Sequence, residues 1–190
     1  MSTNFLFESL RHPRRTGAIA PSSRALSRAL VSRMGIEQAG LVVEYGPGTG
    51  VVTREIAARM APGATLLAVE ANPTFCEELR GRFPGILVEQ TTVSALPALL
   101  ERRGLGPVDV IVSGIPWTLM TAQERRRDLA ATVQALREGG RFAMFLYKHG
   151  LVLPSAIDLM DRLGHAFARV ERSRTVWSNL PPAVVLRCVR

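Results

Sequence analysis

The chain has 190 residues and 47% of them are hydrophobic, which suits one α/β domain with a full core and does not suggest two. Its 24 Lys and Arg outnumber its 16 Asp and Glu, and the net charge of +8 predicts an anionic partner, either nucleic acid or a membrane surface. Two cysteines without metal-ligand spacing, no long apolar run and no secretory signal together predict a cytoplasmic protein with neither a metal nor a membrane-spanning helix.

The start of the chain predicts a short amphipathic helix over residues 3–10, followed by a basic run. Such a helix either packs over the domain as a cap or lies on anionic lipid, and the sequence leaves both interpretations open. The second interpretation predicts a protein bound peripherally to the membrane surface. It assigns the membrane contact to Phe5, Leu6, Leu10, Arg11, Arg14 and Arg15.

A loop of small residues over 17–24 precedes a predicted helix over 25–34. Ser22 or Ser23 is suited to cap this helix, because a hydroxyl oxygen accepts a hydrogen bond from the first turn. Small side chains allow the loop to close over a bound ligand. We therefore expect residues 1–35 to form amphipathic and lid helices, and residues 40–190 to form the core of a single domain.

A glycine-rich turn follows the first apolar strand, residues 41–45, and opens a helix predicted over 49–60. Glycines without a Cβ let a ligand lie directly on the backbone, and the unpaired N–H groups of the helix point towards it. The turn lacks the Gly-Lys-Ser/Thr ending of a P-loop, and its G-x-G-x-G spacing differs from the dinucleotide fingerprint. Its residues are Glu44, Tyr45, Gly46, Pro47, Gly48, Thr49 and Gly50.

Strands and helices alternate through the rest of the chain. Strands are predicted over residues 65–70, 86–89, 108–113, 141–147, 167–176 and 183–189, and helices over 73–83, 125–136 and 155–163. This pattern, with a hairpin at its end, predicts an α/β Rossmann-like, doubly wound seven-stranded sheet with one antiparallel strand, plus the N-terminal helices. Glu70 ends the second strand about 20 residues after the glycines, where an acidic side chain accepts hydrogen bonds from ribose hydroxyls.

The E-x-G-x-G-x-G pattern resembles the first motif of class I S-adenosylmethionine-dependent methyltransferases. The resemblance implies S-adenosylmethionine as cofactor and S-adenosylhomocysteine as product. Members of that class often have Asp at the end of the third strand to bind the adenine amino group, whereas this chain has Thr92 there. The implied cofactor-binding residues are Glu44, Gly46, Pro47, Gly48, Thr49, Gly50, Glu70, Ala71, Thr92, Val93 and Ser113.

Two methyltransferase families share the E-x-G-P-G-T-G turn. In rRNA adenine dimethylases the loop after the fourth strand reads Asn-Leu/Ile-Pro-Tyr/Phe, and its aromatic ring stacks on a flipped base. Here the matching residues are Gly114, Ile115, Pro116 and Trp117, so the aromatic residue is present and the Asn is absent.

The bacterial phospholipid N-methyltransferases are similar to this chain along nearly its whole length. The resemblance is carried by residues 17–23, 44–53, 113–116 and 179–183, and by Tyr147 at the end of the fifth strand. It implies methyl transfer to the amine of phosphatidylethanolamine and its methylated intermediates, towards phosphatidylcholine, at the inner face of the cytoplasmic membrane. Many of these enzymes have Arg before Asn179, where this chain has Ser178; Arg174 or Arg24 are alternative partners for the headgroup phosphate.

The lipid amine must be deprotonated before it attacks a methyl group, and it must be held on the methyl axis. Candidate orienting groups are the backbone carbonyls of residues 113–115 and the Tyr147 hydroxyl, and Trp117 or Tyr147 is suited to cation–π contact with a methylated ammonium. His149 is either a base or a solvated loop residue. We assign catalysis to Tyr147, Ser113, Gly114 and Ile115, and substrate binding to Ser22, Ser23, Arg24, Pro116, Trp117 and Tyr147.

Three alternatives to phosphatidylethanolamine methylation remain. The positive charge and the Pro116-Trp117 pair are compatible with an rRNA adenine methyltransferase, although we consider nucleic acid the less favoured partner. A different aminolipid, such as an ornithine lipid, fits the same chemistry. A non-enzymatic protein that retains the cofactor fold only as a binding scaffold is the third.

Overall fold

Residues 22–190 are described by the computed structural model, and their seven strands form one mixed sheet. The predicted membrane helix, with Phe5, Leu6, Leu10, Arg11, Arg14 and Arg15, lies outside the described residues. The strands are β1 (Leu41–Tyr45), β2 (Thr65–Glu70), β3 (Leu87–Gln90), β4 (Val108–Ser113), β5 (Leu136–Tyr147), β6 (Arg169–Arg172) and β7 (Ala183–Val189). They are ordered β3-β2-β1-β4-β5-β7-β6, and of these seven β7 alone runs opposite to the other six. The predicted fold class is confirmed.

Helices cover both faces of the sheet. They are α1 (Arg24–Val31), α2 (Val51–Ala57), α3 (Pro73–Arg82), α4 (Leu96–Arg102), α5 (Ala122–Ala135) and α6 (Pro154–Ala166). Short 3-10 turns follow three strands, at Val93–Ala95 after β3, Trp117–Leu119 after β4 and Lys148–Val152 after β5. The sequence pattern does not predict α4, because this helix spans only seven residues and begins without a side-chain cap.

Several predicted boundaries differ from the observed ones, and for two of them the reason is identifiable. Helix α5 begins three residues earlier than predicted because Thr121 and Glu124 form a capping box, in which each side chain accepts the other residue's backbone N–H. Strand β5 begins at Leu136 instead of residue 141, and its register against β4 shifts between Val108 and Val110. Gly139 and Gly140 lie in this irregular part of the strand, between the residues that pair with Val108 and Val110.

The core consists of two layers, one on each face of the sheet. All five residues of β1 are buried, as expected for a parallel strand covered by helices on both faces. Val43 and Tyr45 face one layer and Val42 faces the other. The free cysteines Cys76 and Cys188 are also buried, and burial raises the pKa of the Cys188 thiol to about 12.

The strand order reverses between β1 and β4, so the chain leaves these neighbouring strands towards opposite sides. Ligands of doubly wound folds bind at the carboxyl ends of the strands beside such a reversal. Here the two ends are joined directly, because the Gly114 N–H after β4 donates to the Tyr45 carbonyl at 2.8 Å. The Gly46 N–H after β1 donates to the Val69 carbonyl of β2 at 2.9 Å.

Asn179 ties the start of the described chain to the loop before β7. Its side chain is 3% exposed; Oδ1 accepts the Ser23 N–H at 2.9 Å, and Nδ2 donates to the Pro181 carbonyl at 2.7 Å. Ser23 in turn caps α1, because its Oγ accepts the Leu26 N–H. Ser23 of the early motif and Asn179 of the late motif, far apart in the chain, thus meet in space.

We expect Asn179→Ala to lower the free energy of unfolding by about 1–3 kcal/mol, because it leaves buried polar groups without partners. Urea unfolding followed by circular dichroism measures this change. Ser178→Ala is the matched control, since Ser178 is the exposed neighbour. Equal stability of the two variants would show that the Asn179 contacts contribute nothing.

Candidate active site

The glycine-rich turn after β1 is shaped by close contact on one side and open space on the other. Gly46 has a φ of 62°, and a Cβ there would lie 2.5 Å from the Ile115 side chain of the loop after β4. Gly48 has a φ of 50°, and a Cβ there would meet nothing within 4 Å among the described residues. Through Gly46 the turn therefore packs against the loop after β4, residues 114–117, which we call the acceptor loop after its predicted role. At Gly48 the backbone is left accessible to a ligand.

Glu44 is a buried carboxyl on β1, directly before this turn. It is 1% exposed, and its Oε2 has no hydrogen-bond partner among the described residues. Burial raises the pKa of Glu44 to about 8; the adjacent Thr53 of α2 partly offsets this rise, and the Glu70 carboxylate adds to it. At pH 7 the carboxyl is therefore mainly uncharged, and it retains an unused acceptor that a cationic ligand would satisfy.

Glu70 ends β2 on the other side of the turn. Its Oε2 accepts the Gly48 N–H at 3.2 Å and its Oε1 accepts the Asn72 N–H at 2.9 Å. Burial raises the pKa of this carboxyl as well, while those hydrogen bonds lower it. The structure thus brings Glu70 to the glycine-rich turn as the sequence predicted, and the ribose role of this carboxyl remains a prediction.

The predicted adenine segment follows β3. Thr92 is exposed and its hydroxyl lies 3.1 Å from the Ser94 hydroxyl, whereas Val93 is buried. Helix α5 packs against this 3-10 turn and brings Asp128 near Ser94. The sequence pattern does not single out Asp128, because this residue lies within a helix and far along the chain from Thr92. Burial raises the pKa of its carboxyl to about 6.

The loop after β4 is anchored by its aromatic residue. Ser113 is fully buried and its Oγ accepts the Trp117 indole N–H at 2.8 Å. Trp117 is also fully buried, and its ring packs edge-to-face on Phe142 with the centroids 5.7 Å apart. In this conformation the Trp117 ring has no exposed face for a methylated ammonium, which corrects the expectation of a cation–π contact there. Pro116 is likewise buried.

Tyr147 ends β5 at the same edge of the sheet. The side chain is half-buried, and its ring contacts Phe145 and stacks on His149 with centroids 5.8 Å apart. Burial raises the pKa of the Tyr147 hydroxyl, so this group stays protonated and acts as a hydrogen-bond donor at neutral pH. Of the two aromatic candidates, Tyr147 is the one that remains accessible.

The candidate residues of the described range therefore gather at one edge. Because the carboxyl ends of parallel strands meet there, the ends of β1, β2, β3, β4 and β5 bring together the turn, Glu70, Thr92, the acceptor loop and Tyr147. Half-buried Ser22, Ser23 and exposed Arg24 reach this edge through Asn179. Within residues 22–190 there is no His, Cys, Asp or Glu cluster suited to a metal, and no helix long and apolar enough to span a membrane.

Comparison with known proteins identifies the family. A scan against models of known protein families gives no match. Over 142 residues, however, the chain is 37% identical to an ornithine lipid N-methyltransferase of Singulisphaera acidiphila, and the alignment covers 73% of each protein. The chain belongs to the same family as this methyltransferase. The prediction of a class I S-adenosylmethionine-dependent methyltransferase is thereby confirmed.

Solved structures agree with the fold of this methyltransferase. The superposition with the O-methyltransferase TomG of Streptomyces achromogenes, in complex with S-adenosylmethionine, covers 100% of this chain and 91% of TomG, with a TM-score of 0.70 and 14% identity. The superposition with the N-methyltransferase NodS of Bradyrhizobium japonicum WM9 covers 100% of this chain and 99% of NodS, with a TM-score of 0.64 and 15% identity. The predicted cofactor, S-adenosylmethionine, is confirmed.

The residues at the turn fit this cofactor. S-adenosylmethionine supplies an electrophilic methyl group on a positively charged sulfonium, and it also carries an ammonium group. A buried, unpartnered acceptor at Glu44 and an open backbone at Gly48 are suited to a cationic ligand. Glu70 offers carboxylate oxygens for hydroxyl donors at the other end of the turn.

Glu44 gives a measurable proton signature. At pH 7 we expect cofactor binding to release about one proton, because a bound cation favours the ionised carboxyl of a group that is protonated in the free protein. Titration calorimetry in buffers of different ionisation enthalpy measures this number. Glu44→Gln should release none, and Glu37→Gln, at an exposed position, should behave as the wild type.

The same pKa sets the sign of a stability change. The pKa of a glutamate in the unfolded chain is about 4.5, whereas burial raises the pKa of folded Glu44 to about 8. The ligand-free protein therefore loses stability through this residue as the pH rises from 4.5 to 8, and Glu44→Gln should be the more stable form at pH 8 but not at pH 4. Equal stability of Glu44→Gln and the wild type at pH 8 would contradict the raised pKa of Glu44. In the calorimetric experiment, equal proton release by the two proteins would show that the proton does not come from Glu44.

Gly114 tests the contact between the two strand ends. A Cβ there would lie 2.8 Å from the Gly46 carbonyl oxygen, so Gly114→Ala must separate the turn from the acceptor loop. We expect a loss of about 1–3 kcal/mol in stability and at least about tenfold weaker cofactor binding, measured by urea unfolding and calorimetry. Gly85→Ala is the control, because its Cβ meets nothing within 4 Å. Wild-type binding by Gly114→Ala would contradict the packing argument.

Proposed function

We propose that this protein transfers methyl groups from S-adenosylmethionine to the headgroup amine of a membrane aminolipid. The observation that carries the proposal is the 37% identity to an ornithine lipid N-methyltransferase over 73% of both chains. The cofactor turn and the acceptor loop, joined by the hydrogen bond from Gly114 to Tyr45, supply the reaction centre that such an activity needs.

The acceptor loop offers positioning in place of strong acid–base groups. Residues 113–120 contain no carboxylate, and the Ser113 hydroxyl is occupied by Trp117. Backbone carbonyls of residues 113–115 remain as acceptors for an amine N–H, although the Ile115 carbonyl also accepts the Trp117 N–H at 3.1 Å. The amine thus enters the site neutral or loses its proton to solvent or His149, and the loop holds its lone pair towards the methyl group.

Two headgroups fit this proposal. An ornithine lipid is supported by the relative's activity, and phosphatidylethanolamine is supported by the resemblance to phospholipid N-methyltransferases in residues 17–23 and 179–183. Both lipids present a primary amine beside an anionic group, a carboxylate in one and a phosphate in the other. Arg24 and Arg174 are exposed cations suited to either anion.

The geometry at Gly114 weighs against an adenine acceptor. In rRNA adenine dimethylases the matching position is Asn, whose side chain holds the adenine amine. Here any Cβ at this position would press on the Gly46 carbonyl at 2.8 Å. The buried Trp117 also lacks the exposed face that stacks on a flipped base.

A liposome assay decides the acceptor. Purified protein and S-adenosylmethionine are incubated with vesicles containing phosphatidylethanolamine, ornithine lipid or neither, and with rRNA in a parallel reaction. We expect mass spectrometry of the extracted lipids to show products heavier by one to three methyl groups in at least one aminolipid sample, and no product in vesicles without an amine.

The arms separate the alternatives. Methylation of one lipid alone assigns the headgroup, and the mass of the products gives the number of methyl groups added. Cofactor binding with transfer to rRNA and to neither lipid would overturn the proposal, and so would cofactor binding without transfer to any acceptor.

A further inference from the structure

The exposed large hydrophobic residues of residues 22–190 all lie around the edge of the sheet that holds the site. Leu119 follows β4; Val152, Leu153 and Ile157 follow β5; Trp177 and Leu180 precede β7. Because β7 is antiparallel and Ala183 pairs with Tyr147, the start of β7 lies at the same edge as the ends of β4 and β5. Their exposed fractions reach 78% at Val152 and 82% at Leu180.

These six residues, which we call the apolar rim, belong to segments that contact one another. The turn with Leu119 packs against α6, as does the turn with Val152. Leu153 directly precedes α6, and the backbone N–H of Ile157 in the first turn donates to the Leu153 carbonyl at 3.1 Å, so the two residues are neighbours. The Lys148 Nζ lies 4.0 Å from the centre of the Trp177 ring, and the Lys148 N–H donates to Pro182 at 2.8 Å. Lys148 therefore links the part of the rim that follows β5 to the part that precedes β7.

The charges of these segments are positive. Residues 141–157 and 172–190 contain no Asp or Glu, and they include Lys148, Arg172 and Arg174. No described carboxylate forms an ion pair with any of these three cations. Asp158, the carboxylate nearest in sequence to Ile157, is held by Arg125 and Arg162. Exposed apolar side chains beside unpaired cations complement the interface of an anionic bilayer.

We propose that the apolar rim docks this protein on an anionic membrane, with the active-site edge facing the lipid. The inference rests on the proposed function, and it explains how an amine could be reached without extracting the lipid from the bilayer. Val152 and Leu180 enter the headgroup region, and Lys148 and Arg174 contact anionic headgroups. The acceptor loop, after β4, lies beside these segments at the same edge of the sheet. The hydrogen bond from the Ser23 N–H to Asn179 brings residues 22 and 23 to this face as well.

Trp177 reports docking directly. It is 67% exposed whereas Trp117, the other tryptophan, is fully buried. On addition of vesicles that contain phosphatidylglycerol, we expect a blue shift of the Trp177 emission and quenching by brominated lipids, and both should weaken as salt is added. Vesicles of phosphatidylcholine alone should give a smaller response. Absence of quenching with bound protein would overturn the docking of this face.

Substitutions locate the contact in the full-length chain. Val152→Gln, Ile157→Gln and Leu180→Gln combined should weaken vesicle binding by at least about tenfold, because three apolar side chains no longer enter the interface. Lys148→Glu should weaken binding to anionic vesicles only. Ala58→Gln with Ala61→Gln, exposed beyond the other end of α2, is the control and should bind as the wild type. Unchanged binding by the triple variant would contradict the proposal.

Further arms separate other occupants and a failed function. Phe5→Gln, Leu6→Gln and Leu10→Gln combined should leave the Trp177 quenching detectable; its complete loss would show that the preceding segment, and not the rim, makes the contact. A wild-type dimer that the rim variant dissociates would assign the rim to a second copy and overturn the proposal.

With a short-chain aminolipid below its micellar concentration, the rim variant should retain wild-type transfer. No transfer by either protein would count against the proposed function while the vesicle-binding result still tests docking.

Discussion

The active site depends on the direct contact between the chain segments that leave β1 and β4. The Gly114 N–H donates to the Tyr45 carbonyl at 2.8 Å, and Ile115 packs where Gly46 has no side chain. Any Cβ at either glycine would press on the opposite segment. This contact places the turn that we propose receives the cofactor beside the loop that we propose holds the acceptor. Under that proposal, cofactor binding and acceptor positioning depend on the same short piece of structure.

The sequence predicted the elements whose signal is local. The apolar runs of β1, β2 and β4 gave their bounds, and the acidic residue at a fixed distance from the glycines located Glu70. The contacts between distant residues left no local pattern. Examples are the hydrogen bond from Ser23 to Asn179, the burial of Trp117 under α6 and β5, and the pKa of Glu44, which depends on the helix packed over it. An aromatic residue in a loop motif looks the same whether it binds a ligand or anchors the loop.

The arginines of this fold are of two kinds: some are bonded within the structure, and others remain exposed. Arg187 donates to the carbonyls of Ala29 and Ser32 and so holds α1 on the sheet, and Arg125 is buried beside Asp158. Such side chains contribute to the net charge and are not available to a partner. The cations that remain exposed near the site are fewer and lie on particular segments, so their position is more informative about the partner than the total charge.

The burial of both cysteines has a practical consequence. Cys76 and Cys188 are enclosed in the core, and burial raises the pKa of each thiol, so neither presents a reactive thiolate at neutral pH. The natural sequence is therefore already a suitable background for site-specific labelling. A single cysteine introduced at an exposed loop position would react selectively with a spin label or fluorophore, and its depth relative to a bilayer could be measured without first replacing the native thiols.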